Sequence, residues 1–312
     1  MLFRAFAILV LVTPALAQTS RGTVSGTVTD ASGAIVADAY VRLTQHETGI
    51  VRSTSTNAAG IYRFDAVDLG VFELRISKPG FASFLNKGVI VESNRTTTID
   101  SILQLGGSEL VVQVNAAVEE LLLKDSALRG GSFQAEDVSR LPLDVLNPIS
   151  LTGMLPGAVA PSGTFVYGNG GETTQFAING QRPRGNNYLL DGTDNNDLSF
   201  TGTAQPFNIA DAVQEVSVQT SNFGAEFGRA GGGIVNVITK SGTNQLHGTL
   251  LWRFTSQAFN SMPSLNTSSG STSPDFRENI YGFTVSGPIT KNKTFFFAAF
   301  QQDRFRSPGQ FS

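Results

Sequence analysis

Three aspartates crowd one short stretch: Asp191, Asp194 and Asp197 in DGTDNND. Carboxylates at that density could hold a hard cation through oxygen ligands. The spacing departs from an EF-hand loop, with Thr193 at the third position and no glycine at the sixth. The preferred reading is a capped turn, in which each side chain accepts from nearby backbone N–H groups. Arg182, Arg184, Arg229 and Lys240 could clamp a carboxylate or phosphate. Pairing with acidic groups of an enclosing wall suits them better. The run Gly228-Arg229-Ala230-Gly231-Gly232-Gly233 lacks both the GxGxxG spacing and the Lys-Ser/Thr ending of a phosphate loop, so it supports no nucleotide site. Ser221 and Ser241 have no His or Asp at useful spacing and stand in no G-x-S-x-G elbow. Cysteine is absent, and His46 and His247 are the only histidines, which removes thiolate metal sites and most acid–base pairs. The sequence therefore predicts no catalytic constellation, no metal site, no cofactor and no enzyme.

The charge balance narrows the partners. Lys and Arg number 22 against 25 Asp and Glu, for a net charge of -3, which leaves no electrostatic footprint for nucleic acid. A hydrophobic share of 40% rules out wholesale disorder and permits a real core. Residues 1–17, MLFRAFAILVLVTPALA, have the shape of a secretory signal. Arg4 precedes an apolar run, and Ala15-Leu16-Ala17 predicts cleavage before Gln18. The run is too short to cross ~30 Å of hydrocarbon as a helix. A β-barrel stays open, because its strands carry only a weak alternating signal.

Behind the signal, residues 18–105 alternate on a period of two between turn residues. Val24, Val28, Val41, Leu43, Tyr62, Phe64, Phe72, Leu74 and Ile76 supply inner faces. Asp30-Ala31-Ser32-Gly33 and Asn57-Ala58-Ala59-Gly60 are turn signatures, with an oxygen to cap and a Gly for the left-handed position. Short strands at this spacing predict a sandwich. The stretches VSGTVTDASGAIVADAYVRL, TSTNAAGIYRFDAVDLGVFELRISKPGF and TTTIDSILQL resemble the carboxypeptidase regulatory-like domain. That resemblance implies an Ig-like, prealbumin-type β-sandwich. Functionally it implies only roles from carbohydrate or surface contact to spacing.

Residues 106–130 read as a joint. Gly106-Gly107 ends the sandwich, Ser108 to Asn115 favours an extended form, and AAVEELLLKDSAL allows a helical turn or two. An extended segment beside a Gly pair could add to a partner's sheet edge, although an edge strand of the next domain is the favoured reading.

Residues 131–245 read as a mixed α/β domain. Short helices are predicted over Phe133–Arg140 and Asn147–Met154, and strands over Gln175–Ile178, Tyr188–Leu190, Val213–Val218 and Gly233–Ile238. Long polar loops, Gly180 to Asn187 and Asp191 to Asn208, lie between them, and such loops usually do something or lie against something. The runs LPLDVLNPISLTGMLPGAV, FAINGQRPRGNNYLLDGTDNND and DAVQEVSVQTSNFGAEFGRAGGGIVNVITKSGTNQLHGTL resemble the plug of TonB-dependent outer-membrane receptors, in particular the Oar-like branch. The resemblance implies a globular plug inside a barrel of about 22 strands. It also implies a TonB-type energy-coupling protein as periplasmic partner. The best TonB-box candidate is Glu109, Leu110, Val111, Val112, Gln113 and Val114. The plug's turn maps to Arg229, Gly231, Gly232 and Gly233, and its ligand-sensing loops map around Arg182, Arg184, Asp191, Asp194 and Asp197.

From Leu246 to Ser312 the texture changes. Leu246, Gly248, Leu250, Trp252 and Phe254 alternate with His247, Thr249, Arg253 and Thr255. Tyr281, Phe283 and Val285 stand opposite Gly282, Thr284 and Ser286, and Thr294 to Phe300 is nearly all apolar. Strands of about ten residues with an apolar face fit an outer-membrane barrel. Ser261 to Ser273 reads as an exposed loop. Three strands cannot close a barrel, because their open edges would leave backbone groups unpaired in hydrocarbon. The expectation is an N-terminal fragment of a receptor seated in outer-membrane lipid, mainly β, with an unidentified extracellular ligand. The competing expectation is a secreted adhesin-like module built on the sandwich.

Overall fold

A computed structural model describes residues 20–106, 112–114, 129–141, 146–159, 166–167, 171–172, 176–197, 203–205, 207–224, 227–259 and 277–306. The signal segment, Glu109 to Val111, the AAVEELLLKDSAL stretch and the Ser261–Ser273 loop lie outside the described residues. Contacts divide the chain into two compact units, residues 1–239 and 240–312.

The first unit opens with β1 (Gly22–Asp30), β2 (Tyr40–Gln45), β3 (Val51–Ser55), β4 (Ile61–Val67), β5 (Gly70–Ser77), β6 (Phe84–Val91), β7 (Thr96–Thr98), β8 (Ser101–Leu103) and β9 (Val112–Val114). They form two sheets, one ordered β4-β1-β7 with β8 also on β1, the other β3-β2-β5-β6-β9. The short strands β7 and β8 run parallel along successive stretches of β1 and act as one interrupted strand. All nine residues predicted to face inward are buried, and they form one core with Val36, Ala39, Val67 and Val89. Both turn signatures are built as their residue types require. Asp30 Oδ1 accepts from the Ser32 and Ala34 N–H groups at 2.8 and 2.9 Å, and Asn57 Oδ1 from those of Ala59 and Ile61, both at 2.9 Å. Gly33 and Gly60 take φ +85° and +70°. The Ser32 hydroxyl and these amides hold the Asp30 carboxyl below its usual range.

The joint behaves differently from expectation. Its described part, β9, joins the sandwich rather than the next domain, pairing parallel with β6 through Phe84↔Val112, Leu85↔Gln113 and Asn86↔Val114. An open sheet edge offers a row of backbone donors and acceptors, and the returning chain takes it.

The second part of this unit runs through β10 (Arg129–Gln134), α1 (Ala135–Arg140), a 3-10 segment (Pro148–Met154), β11 (Ala158–Val159), β12 (Val166–Tyr167), β13 (Gly171–Glu172), β14 (Ala177–Ile178), β15 (Asn187–Leu190), β16 (Thr193–Asp194), β17 (Val213–Ser221) and β18 (Ile234–Thr239). The main sheet is ordered β10-β17-β18-β15-β16. The helix starts two residues later than predicted, because Phe133 and Gln134 pair with Val216 and Glu215 as strand. The Gln134 N–H then donates to Asp137 Oδ2 at 3.0 Å and fixes the helix start. The second predicted helix is a 3-10 segment, with the Asn147 side chain accepting from Ile149 N–H and Pro148 in the first position. One sheet face is apolar. Val216, Val218, Val235 and Val237 pack there with Val138, Ile149, Leu151 and Tyr188.

The second unit is an antiparallel sheet of β19 (His247–Ser256), β20 (Arg277–Thr290) and β21 (Thr294–Arg306). Its register sets Leu250, Phe283 and Phe300 in one row, Gly248, Val285 and Ala298 in the row on one side of it, and Trp252, Tyr281 and Gln302 on the other. Leu250 is 91% and Trp252 70% exposed, so this face carries no protein cover. The opposite face is mixed: it bears Thr249, Thr284, Arg253, Glu278 and Asp303 together with Leu251, Phe297 and the buried Ile280, and the Thr249 and Thr284 hydroxyls are 2.8 Å apart.

Candidate functional site

The polar loops and the glycine run meet beside β15 and β18, and they do so through backbone. The chain turns tightly at Pro183–Gly185, and Gly185 C=O accepts from both Gly231 N–H (2.8 Å) and Gly232 N–H (2.9 Å). Asn186 closes the junction from inside: its Oδ1 accepts from Gly233 N–H at 3.1 Å while its Nδ2 donates to Phe176 C=O at 2.6 Å. Asn187 N–H donates to Gly233 C=O at 2.9 Å. A Cβ on Gly232 would stand 2.4 Å from Asn186 Oδ1, and one on Gly233 2.7 Å from Ile178 Cδ1. At Gly231 a Cβ would meet open space. Gly232 and Gly233 are there for close approach, and the N–H groups of Gly231, Gly232 and Gly233 are already engaged rather than aimed at a ligand.

The three aspartates do not converge. Asp191, at φ +51°, reaches across to Thr239, while Asp194 accepts from Asn196 N–H (2.9 Å), Asn196 Nδ2 (2.6 Å) and Arg229 Nη1 (3.0 Å). Asp197 has partners of its own. Among the described residues no group of three His, Asp or Glu could hold a metal. The two Asn196 donors, then the Arg229 guanidinium, hold the Asp194 carboxyl below its usual range. Arg229 thus pairs within its own domain, across 35 residues. Arg182 precedes the Pro183–Gly185 turn and Arg184 lies within it, both with exposed side chains.

Sequence reasoning passed over two sets of residues. Asn186, Asn195 and Asn196 stitch the loops: Asn195 Nδ2 donates to Gln205 C=O, and Asn195 Oδ1 accepts from Gln205 N–H, both at 2.9 Å. The density of Asn between strands was the available signal, since an amide both donates and accepts. Glu215 is the other, fully buried on β17. Its signal was parity: Glu215, Ser217 and Gln219 recur on every second residue of an otherwise apolar strand.

The family described as carboxypeptidase regulatory-like domain matches residues 23–104, and that described as outer membrane beta barrel domain matches residues 238–312. The chain is 30% identical over 301 residues to the TonB-dependent transporter Oar of Myxococcus xanthus, covering 92% of this chain and 27% of that protein. It is 32% identical over 169 residues to the probable TonB-dependent siderophore receptor PirA of Acinetobacter baumannii, covering 50% of this chain and 20% of that one. The outer membrane transporter YddB from Escherichia coli aligns at 20% identity with a TM-score of 0.47, over 56% of this chain and 26% of that chain. The chain spans about a quarter of the length of the curated relatives it matches. Those relatives are named for transport and reception, not catalysis. Over 92% of its length the chain is thus similar to an Oar-type TonB-dependent transporter, with a carboxypeptidase regulatory-like region first and an outer-membrane barrel-type region last.

Proposed function

We propose that this chain supplies the periplasmic sandwich, the gating plug and the first strands of a transporter whose barrel of about 22 strands sits in outer-membrane lipid. An extracellular ligand would engage the plug loops around Arg182, Arg184, Asp191, Asp194 and Asp197. A TonB-type protein would take hold of the Glu109–Val114 segment and pull, and the plug would rearrange to open a path. The observation that carries the reading is the register of the last three strands, which aligns Leu250, Phe283 and Phe300 on an exposed apolar face and sets Thr249, Thr284, Arg253, Glu278 and Asp303, around a buried Ile280, on the other. Apolar-out, polar-in alternation suits a wall between lipid and a lumen. A secreted adhesin built on the sandwich leaves that face without a role.

The coupling step is testable because the chain has no native cysteine. Gln113→Cys in the receptor, expressed in cells with single-cysteine variants of the energy-coupling protein, should give a disulfide-linked product, while Ser53→Cys on the far sandwich edge should not. Equal products from both positions, or none from Gln113→Cys in receptor that has reached the outer membrane, would contradict the assignment.

A further inference from the structure

On one side the sandwich ends in two strand edges, β3 and β4, and they are finished differently. Gln45 N–H donates to Ile50 C=O at 2.9 Å and Thr56 N–H to Ala39 C=O at 3.0 Å, which fixes the phase of the β2–β3 ladder. Antiparallel strands bond to a neighbour through every second residue. Arg52 and Thr54 therefore bond to β2, while Val51, Ser53 and Ser55 aim their N–H and C=O groups outward. Among the described residues nothing takes those groups, and all three residues are exposed and uncharged. The β4 edge is closed by contrast. Asn57 holds both the N–H and the C=O of Ile61, at 2.9 and 3.0 Å. Arg63 and Asp65, paired at 2.7 Å, set charge along its middle, and Ala66 C=O accepts from Arg52 Nη1 at 2.9 Å. Charged side chains on an edge discourage pairing with other chains. The one charge that β3 carries, Arg52, is thus folded back on β4, with its Cζ 5.9 Å from the Phe64 ring centroid. The β3 edge keeps no guard of its own. At the far side of the same sheet β6 takes β9 as an added strand.

The surface beside β3 indicates what pairs there. Val51, Ser53 and Ser55 share the outer face of the sheet with Tyr40, Arg42 and Thr44. Ser53 stands beside Arg42, and Arg42 beside Arg75. Arg75 has Glu73 at 3.8 Å, whereas Arg42 is exposed and no carboxylate pairs with it among the described residues. We propose that the β3 edge is a strand-addition site for an extended, acidic segment of another protein. The main chain of that segment bonds to Val51, Ser53 and Ser55, and a carboxylate opposite Ser53 reaches over Arg42. A residue opposite Ser53 comes within about 5.5 Å of it, Cβ to Cβ, and its side chain joins the row of Ser53 and Arg42. A second copy of the chain suits the edge less well. Pairing β3 with itself about a two-fold axis at Ser53 brings another Arg42 into that row and no carboxylate.

Fluorescence anisotropy on the full chain in detergent micelles tests this, with a labelled peptide of about seven residues, strand length, alternating Thr and Val around a central Glu. That peptide should bind about two- to fivefold more tightly than one with a central Lys, and Arg42→Glu should invert the preference. Ser53→Pro removes an outward N–H and leaves the bonds to β2, so it should weaken binding about fivefold or more. Methylating one alternate set of peptide amides should abolish binding, and methylating the other set should leave it, because a strand turns every second amide to its neighbour. The proposal is overturned if the Glu peptide does not bind at about 1 mM, if both methylated sets bind alike, or if Arg42→Glu leaves the preference unmoved. A dimer of the chain that Ser53→Pro dissolves, with no peptide bound, also overturns it and gives the edge to a second copy. Should Ser53→Pro fail to fold, the methylated peptides and Arg42→Glu decide.

Discussion

Asp191 Oδ1 accepts the Thr239 N–H at 2.8 Å and its Oδ2 accepts the Thr239 hydroxyl at 2.9 Å, so one side chain ties the end of β15 to the end of β18 across 48 residues. Both strands run parallel here, and Asp191 N–H donates in turn to Val237 C=O at 2.9 Å. Asp191→Ala removes two hydrogen bonds to a charged acceptor and should destabilise this end of the plug by about 1–2 kcal/mol, while Thr239→Val removes one and should cost about half as much. Amide exchange at Thr239 and Val237 would read the difference. Equal effects would show that the hydroxyl contact carries everything.

The glycine run should respond residue by residue. Gly231→Ala meets open space and should leave stability within about 0.5 kcal/mol of wild type. Gly233→Val drives a side chain into Ile178 Cδ1 and Gln219 C=O, and overpacking of this kind costs about 1–3 kcal/mol. Protease resistance of the plug, compared across the two variants, checks the contrast. If the two substitutions are tolerated alike, the close approach at Gly233 is not what holds the loops together.

Arg229 and Asp194 form an exposed pair, with side chains 66% and 53% accessible, so the ion pair itself contributes little. Arg229→Ala should be nearly neutral. Asp194→Ala should be felt more, because Asn196 loses two acceptor contacts as well. The Asp194 carboxyl lies below its usual range, so its contribution is present above the ordinary carboxylate value and is lost as pH falls through the depressed one. Exchange at the Asn196 amide should hold from neutral pH down to the usual Asp range and rise only in stronger acid.

The two faces of the last three strands should tolerate charge differently. Arginine on the lipid face of a barrel costs about 2–4 kcal/mol near the midplane, while lumen positions are permissive. Phe283→Arg should therefore deplete the receptor from the outer membrane, and Thr249→Arg, at an exposed position on the opposite face, should not. Quantitative blotting of outer-membrane fractions reads this. Equal depletion would mean that the faces are not lipid and lumen.

What could be read before the structure follows from the range of the physics involved. The sandwich was legible because its rules are local: Asp30 and Asn57 cap their own turns, and Val24 to Ile76 alternate on a fixed period. The Phe133–Gln134 pair was placed in a helix because its local propensity says so, whereas long-range pairing with β17 makes it strand. The docking of β9 on β6 and the meeting of Ser93 with Glu215 had no local signature, since both join distant parts of the chain. The acidic cluster was legible as turn chemistry. Its partners, Thr239 and Arg229, were not, because each lies more than thirty positions away.

The central claim is that the last three strands cross the outer membrane, with the turn between β20 and β21 on the periplasmic side. Barrels of this kind have long extracellular loops and short periplasmic turns. The chain between β19 and β20 is long, and that between β20 and β21 is the short Lys291–Lys293 turn. This chain holds no native cysteine, so Ser269→Cys and Lys291→Cys, in a full receptor cleared of any cysteine outside residues 1–312, can be probed by a membrane-impermeant maleimide on intact cells. The account predicts labelling of Ser269→Cys in intact cells and of Lys291→Cys only after lysis. Labelling of Lys291→Cys in intact cells while Ser269→Cys stays protected, or protection of both with the protein soluble in the periplasm, would contradict it.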